Sequence, residues 1–168
     1  MAIAILGNSS IPVQCIQRVI TTSLAQSGSS YSQNQWFDLT GYSHVITPSS
    51  SSNKILFHVS FGAVTSSTNA INFRLVRNST TIGVGDASGT RPQATFRCFR
   101  EGDTNHVKTA PSFTFLDSPN TTSAVTYKIQ WQGEGTPTIY INRAQSDTDG
   151  QSYGARTIST ITLWEITG

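Results

Sequence analysis

Residues 125–132 read VTYKIQWQ. Val125, Tyr127, Ile129 and Trp131 alternate with Thr126, Lys128, Gln130 and Gln132. A two-residue period places the first set on one face of an extended strand and the second on the other. A helix would scatter both sets around its circumference, so this stretch reads as a half-buried strand. KILFHVSF at 54–61 repeats the pattern, with Ile55, Phe57, Val59 and Phe61 opposed to Lys54, His58 and Ser60. INFRLV at 71–76 sets Ile71, Phe73 and Leu75 against Asn72 and Arg74.

Looser runs extend the pattern over the chain: VQCIQRVITT, QWFDL, HVIT, ATFRCFR, PSFTFLD, TIYINR and TISTITLWEI. Turn-forming clusters separate them, among them Thr47-Pro48 with its serine run, Asn78-Ser79, Ser118-Pro119-Asn120, Gly133-Glu134-Gly135 and Asp149-Gly150. No segment sustains the helical i, i+3, i+4, i+7 spacing with good helix formers. About nine or ten short strands in 168 residues predict one all-β domain, an antiparallel β-sandwich with a jelly roll as the expected winding.

The last strand, in RTISTITLWEITG, is apolar at both parities. Ile161 and Leu163 share one face, and Ile158, Trp164 and Ile166 share the other. A strand apolar on both faces belongs in the middle of a packed sandwich or at a subunit interface. Trp36, Phe37 and Trp131 add more aromatic area than one small core requires. Ile158, Trp164, Ile166 and Trp131 are therefore the candidate residues for self-association, weighed against a purely internal role. Residues 1–30 differ in texture and read as an N-terminal arm with a first strand, ITTSLAQSGSS passing from strand into a flexible link. Residues 31–168 form the sandwich. The segment before about residue 12 either docks on another protein or frays as an ordinary terminus.

Charged residues make up 12% of the chain and the net charge is +2. That balance gives no clustered basic surface for nucleic acid. Ser and Thr supply roughly a quarter of the residues, so the surface is solvated largely by hydroxyls. No secretory leader is expected, because MAIAILGNSS lacks a basic start and a long apolar run. No window approaches the ~18 apolar residues of a membrane span. Cys15 and Cys98 lie in alternating runs and are expected as buried thiols of a reducing cytoplasm; their spacing does not decide whether they pair.

Residues 74–91, RLVRNSTTIGVGDASGTR, carry Gly83, Gly85 and Gly89 beside Asp86. A dinucleotide loop needs such glycines to open a helix whose N-terminus holds the phosphate. A proline and a further strand follow here, and no Gly-Lys-Ser/Thr occurs, so bends and close backbone approach are the expected roles. GxSxG is absent. His44, His58 and His106 are far apart, and Asp86, Asp103, Asp117, Asp147 and Asp149 fall mostly in turns. DTDG at 147–150 resembles the start of a calcium loop but lacks its later ligands, leaving an adventitious cation at most. No catalytic residue, cofactor site or metal site is expected. The N-x-S/T triplets at Asn8, Asn78 and Asn120 carry little meaning without a secretory route.

Five ordered segments carry a resemblance. WFDLTGYSHVITPSSSSNKILFHVSFG, FRLVRNSTTIGVGDASGTR, FLDSPNTTSAVTYKIQWQ, PTIYINRA and YGARTISTITLWEI are similar to a domain of bacteriophage virion proteins of marine and cyanobacterial phages, over about residues 31–167. The resemblance implies a jelly roll akin to the tumour-necrosis-factor and complement globular-head folds, associating as homotrimers and lacking catalytic residues. Leu75-Val76-Arg77-Asn78 resembles a hairpin of that superfamily in which Gly follows, whereas this chain has Ser79. The expectation is a non-enzymatic virion structural protein, assembled in the bacterial host cytoplasm and displayed on the particle. As a homotrimeric knob it would serve as head decoration (cement protein) or as a short tail-fibre tip. Its partners would be its own copies, capsid or tail proteins reached through the arm, and a host-surface glycan, with no nucleic acid and no membrane. The alternative is a carbohydrate-binding β-sandwich module, with Trp36 or Tyr153 stacking on sugar; an enzyme on a β-sandwich is the third reading.

Overall fold

The computed structural model describes residues 12–28, 35–68, 70–99 and 109–168. The proposed arm before residue 12 and His106 lie outside the described residues. Among the described residues the regular structure is strand, with a single 3-10 turn at Ser152–Gly154. The strands are β1 (Pro12–Ile20), β2 (Leu24–Ser27), β3 (Phe37–Ile46), β4 (Lys54–Ser60), β5 (Val64–Ser66) and β6 (Ala70–Arg77). They continue as β7 (Thr80–Ile82), β8 (Phe96–Phe99), β9 (Ser112–Asp117), β10 (Val125–Gly133), β11 (Thr138–Ile141) and β12 (Ser159–Ile166).

Two antiparallel sheets stack face to face. One has the order β1-β12-β4-β9; the other has β3-β10-β6-β7, with β8 also on β6. A short third sheet, β2-β11-β5, adjoins them. The alternating residues of the sequence meet between the layers. Ile55, Phe57, Val59, Ile161 and Leu163 of the first sheet and Ile71, Phe73, Leu75, Val125, Tyr127, Ile129 and Trp131 of the second are all buried. Along one side the layers are joined by rings: Phe73 stacks on Phe96 at 4.8 Å, and Phe96 lies 5.8 Å from Phe113.

Two expectations change. The run LAQS, within the stretch read as strand passing into a flexible link, is β2 and pairs with β11. β1 pairs with β12 from Pro12 to Ile20, so residues 12–27 are built into the sandwich rather than standing apart from it. QWFDL and HVIT, read as separate runs, belong to the one strand β3. Asp38 opposes Gln130 and Ser43 opposes Lys128, so β3 bulges between them. Gly41 sits in the bulge with φ +84°. The bulge switches parity: Leu39 is inward before it and Tyr42 after it, and Tyr42 stacks on Phe61 at 5.0 Å.

The hairpin between β6 and β7 answers the question raised by Ser79. Asn78 takes the left-handed conformation, φ 54°, and Ser79 does not. Asn78 also accepts the Thr126 amide on its Oδ1 (2.9 Å) and donates its own amide to the Thr126 carbonyl (2.7 Å). A side chain that anchors its own turn replaces the need for glycine at the next position.

At the rim of the core, the Tyr127 hydroxyl donates to Asp117 Oδ2 at 2.6 Å, and Arg77 holds the same carboxylate at 2.9 Å. Burial, then the Asp117 carboxylate, push the Tyr127 phenol above its ordinary pKa. Tyr127→Phe deletes a hydrogen bond to a charged acceptor. It is expected to cost about 1.5–3 kcal/mol, read as a lower urea midpoint with unchanged slope.

Candidate interaction surfaces

The four residues expected at a self-association surface separate. Trp131 is fully buried inside the single chain, with Phe37 5.5 Å away, and offers no area to a partner. Its inward parity in VTYKIQWQ decides its place. Ile158 is 56% exposed, one residue before β12. Trp164 and Ile166 are half-buried on the outer face of the β1-β12-β4-β9 sheet.

That outer face is apolar across its width. Cys15 opposes Trp164, Trp164 opposes Leu56, and Leu56 opposes Leu116. Leu116 is 48% exposed and Cys15 is exposed. Val13, 47% exposed, and Ile166 widen the patch, and Lys54 stands at its margin opposite Ile166. The next row is polar: Gln17 donates to Thr162 Oγ1 (3.1 Å), and His58 Nδ1 lies 2.9 Å from Thr114 Oγ1. Large apolar side chains on the solvent face of a central strand mark an interaction surface more strongly than scattered ones do. Leu56, Leu116 and Cys15 were missed from sequence. The signal was there: Leu56 occupies the parity of Lys54, His58 and Ser60, where a solvated face has no use for leucine.

The outer face of the opposite sheet is of another kind. Lys128 Nζ pairs with Asp38 Oδ2 (2.8 Å), Gln130 Nε2 donates to Asp38 Oδ1 (2.6 Å), and Arg74 Nε donates to Gln130 Oε1 (2.8 Å). Arg74 then stacks on the Trp36 ring, 4.4 Å from its centroid. Burial lowers the Arg74 guanidinium from its ordinary value, and the Asp38 carboxylate opposes that shift. Beyond Arg74 the edge of the sheet is interrupted. β7 pairs with Leu75–Arg77 and β8 with Ala70–Phe73. The chain between them leaves the edge as a loop over 83–95.

This is the glycine-rich stretch, and its glycines bend the backbone. Gly83 has φ +60°, with the Phe115 ring 3.0 Å from where a Cβ would stand; Gly89 has φ +56°. The Gly85 amide donates to the Ala94 carbonyl (3.1 Å), and Gln93 Nε2 closes the loop onto the Gly85 carbonyl (2.7 Å). Thr95 restores the ladder, its amide donating to Phe73 and its hydroxyl accepting from the Leu75 amide. Between loop and sheet lies a recess of about 510 Å³ lined by Trp36, Arg74, Thr81, Val84, Ala87, Gly89, Thr90, Arg91, Pro92 and Gln93.

The remaining candidate groups lie apart. His44 is on β3 and His58 on β4, in different sheets. Burial, then the Arg18 charge, lower the His44 pKa. In the DTDG loop, Asp147 is ion-paired with Arg143 (3.2 Å) and with Arg156. Its charge is thus committed to guanidinium partners rather than held for a cation. Among the described residues no group of three or more His, Cys, Asp or Glu side chains could hold a metal ion. Among the described residues no helix is long and apolar enough to cross a membrane. Cys15 and Cys98 are both free; Cys15 is exposed rather than buried, because β1 is an edge strand and Cys15 points outward. Burial raises the Cys98 thiol pKa. Asn78 and Asn120 sit in turns, both with positive φ, whereas Asn8 lies outside the described residues. Neither a protein-family model nor a curated protein matches the chain.

Proposed function

We propose that the protein is a non-enzymatic virion structural protein of a bacteriophage, a homotrimeric jelly-roll knob exposed on the particle. It serves as head decoration or as a short tail-fibre tip. The observation that carries the reading is the uncharged apolar row Cys15–Trp164–Leu56–Leu116 on the outer face of one sheet. A patch without strong charge suits a second copy of itself better than a charged partner.

The strand order supports the jelly-roll winding. β7 and β8 count as one interrupted edge strand, and the three-stranded sheet is set aside. One sheet then holds the first, last, third and sixth strands, and the other the second, seventh, fourth and fifth. The number three and the virion setting rest on the resemblance of the five ordered segments.

The test is molar mass in solution by light scattering at micromolar concentration. The expected value is three times the 18.2 kDa chain. A monomer would remove the self-association, and a dimer would keep the face and remove the trimer. Labelling of intact particles then separates many copies on the head from a few at the tail.

A further inference from the structure

We propose that the recess between the 83–95 loop, the β6-β7 edge of the sheet and Trp36 binds an anionic saccharide, its acidic group on Arg74 and Arg91 and its ring against Trp36. The recess, at about 510 Å³, has the size of a small-molecule site. Its lining contains two arginines and no carboxylate. Among the described residues neither guanidinium has an ion-pair partner. Arg91 is held by the Ser88 hydroxyl (2.9 Å) and backbone, and Arg74 by Gln130 and the Trp36 ring.

The chain Lys128–Asp38–Gln130–Arg74 fixes one edge of the Arg74 plane and leaves its terminal nitrogens without a hydrogen bond among the described residues. A guanidinium fixed by stacking and by its Nε, with its paired ends free, is pre-organised for a bidentate acidic group. An aromatic residue and Pro92 beside it supply the apolar contact that a sugar ring needs, while Thr90 and Gln93 supply neutral polar atoms for its hydroxyls.

Nucleic acid fits the observations less well. The recess holds one aromatic ring and no lysine, and the chain has a net charge of only +2, too little for a phosphate-tracking surface. The recess lies on the sheet opposite the apolar Trp164 face, so self-association through that face leaves it open. The two proposals are independent of each other.

The test is titration of the full chain with sialyllactose, a galacturonic acid trimer and sulfated lactose, with lactose as the neutral control. Tryptophan fluorescence and saturation-transfer NMR report binding, and molar mass is measured on the same samples. At least one acidic probe is expected to bind about tenfold or more tightly than lactose. Arg74→Gln and Arg91→Ser are each expected to weaken that binding by about tenfold, with the melting temperature of the loop variant Arg91→Ser unchanged. A preference for sialyllactose and the uronate over the sulfate identifies a carboxylate as the recognised group; the reverse identifies a sulfate. Equal binding of lactose, no binding of any probe, or full binding by the Arg74→Gln/Arg91→Ser double variant overturns the proposal. A monomeric mass with intact acidic-sugar binding would remove only the trimer.

Discussion

Leu56→Asp is expected to convert the proposed trimer to single folded chains, while Phe57→Ala, one residue away, is expected to strip the fold itself of a large share of its stability. The two side chains lie on opposite faces of β4. Phe57 is fully buried between the sheets, 6.1 Å from the Tyr127 ring. Removing it leaves a cavity in a close-packed layer and costs about 3–5 kcal/mol, a large share of the stability of a domain this size. Leu56 points the other way and stands between Trp164 and Leu116 in the centre of the apolar row. A carboxylate there adds little to the cost of folding one chain. Within an interface of copies it buries several like charges close together without partners, which association cannot sustain.

Light scattering and far-ultraviolet circular dichroism together decide the matter. The expected outcome for Leu56→Asp is a third of the mass with a native spectrum. If Leu56→Asp keeps the wild-type mass, this face is not the interface, whatever the number of subunits proves to be. If it loses its native spectrum, Leu116→Asp, on the edge strand β9 and 48% exposed, repeats the test with less risk to the fold.

The contrast between Leu56 and Phe57 also shows how far alternation carries. Period two says which residues share a face, and it sorted Ile55, Phe57, Val59, Tyr127, Ile129 and Trp131 into the core correctly. It does not say whether the other face meets water or another chain, so Trp131 could be read both as core and as interface. It also fails wherever the strand gains residues. In FDLTGYSHVI the parity of the inward residues changes at Gly41, and no sum of propensities places that bulge. Short strands are the second blind spot. LAQS and VTS have no apolar alternation of their own, and they become strands only because TIYI lies between them. The recess was legible only in part. Trp36 was visible as a candidate for sugar stacking, but Arg74 and Arg91 are brought beside it by the interrupted edge of the sheet, a tertiary event with no local signature.

Glu165 carries the second large expectation. It follows Trp164 on the inward parity of β12 and is fully buried, with no cation beside it among the described residues. Four hydrogen bonds hold it. Oε1 accepts from the Ser49 amide (2.6 Å), the Ser49 hydroxyl (2.7 Å) and Asn53 Nδ2 (2.6 Å), and Oε2 accepts from Gln14 Nε2 (2.6 Å). The start of the serine-rich loop after Thr47-Pro48 is thus folded around a carboxylate, which gives Ser49 and Asn53 a reason that composition alone did not supply.

Burial would raise the Glu165 pKa, but the bonds from Asn53, Ser49 and Gln14 outweigh it and hold the carboxyl down to about 2. The folded chain therefore resists a proton that the unfolded chain accepts near the ordinary value of 4.5. The resulting stabilisation is complete above about pH 5 and is lost as the pH falls from there towards 2. Glu165→Gln keeps the shape but turns an amide group towards donors, and so leaves at least one buried donor without an acceptor. The expected loss at pH 7 is about 3 kcal/mol. The variant should also lose much of the wild type's decline in stability between pH 5 and pH 2. Urea unfolding at pH 7 and pH 3 measures both. A variant as stable as the wild type at pH 7, or one with the same acid limb, would mean that the loop stands without the carboxylate.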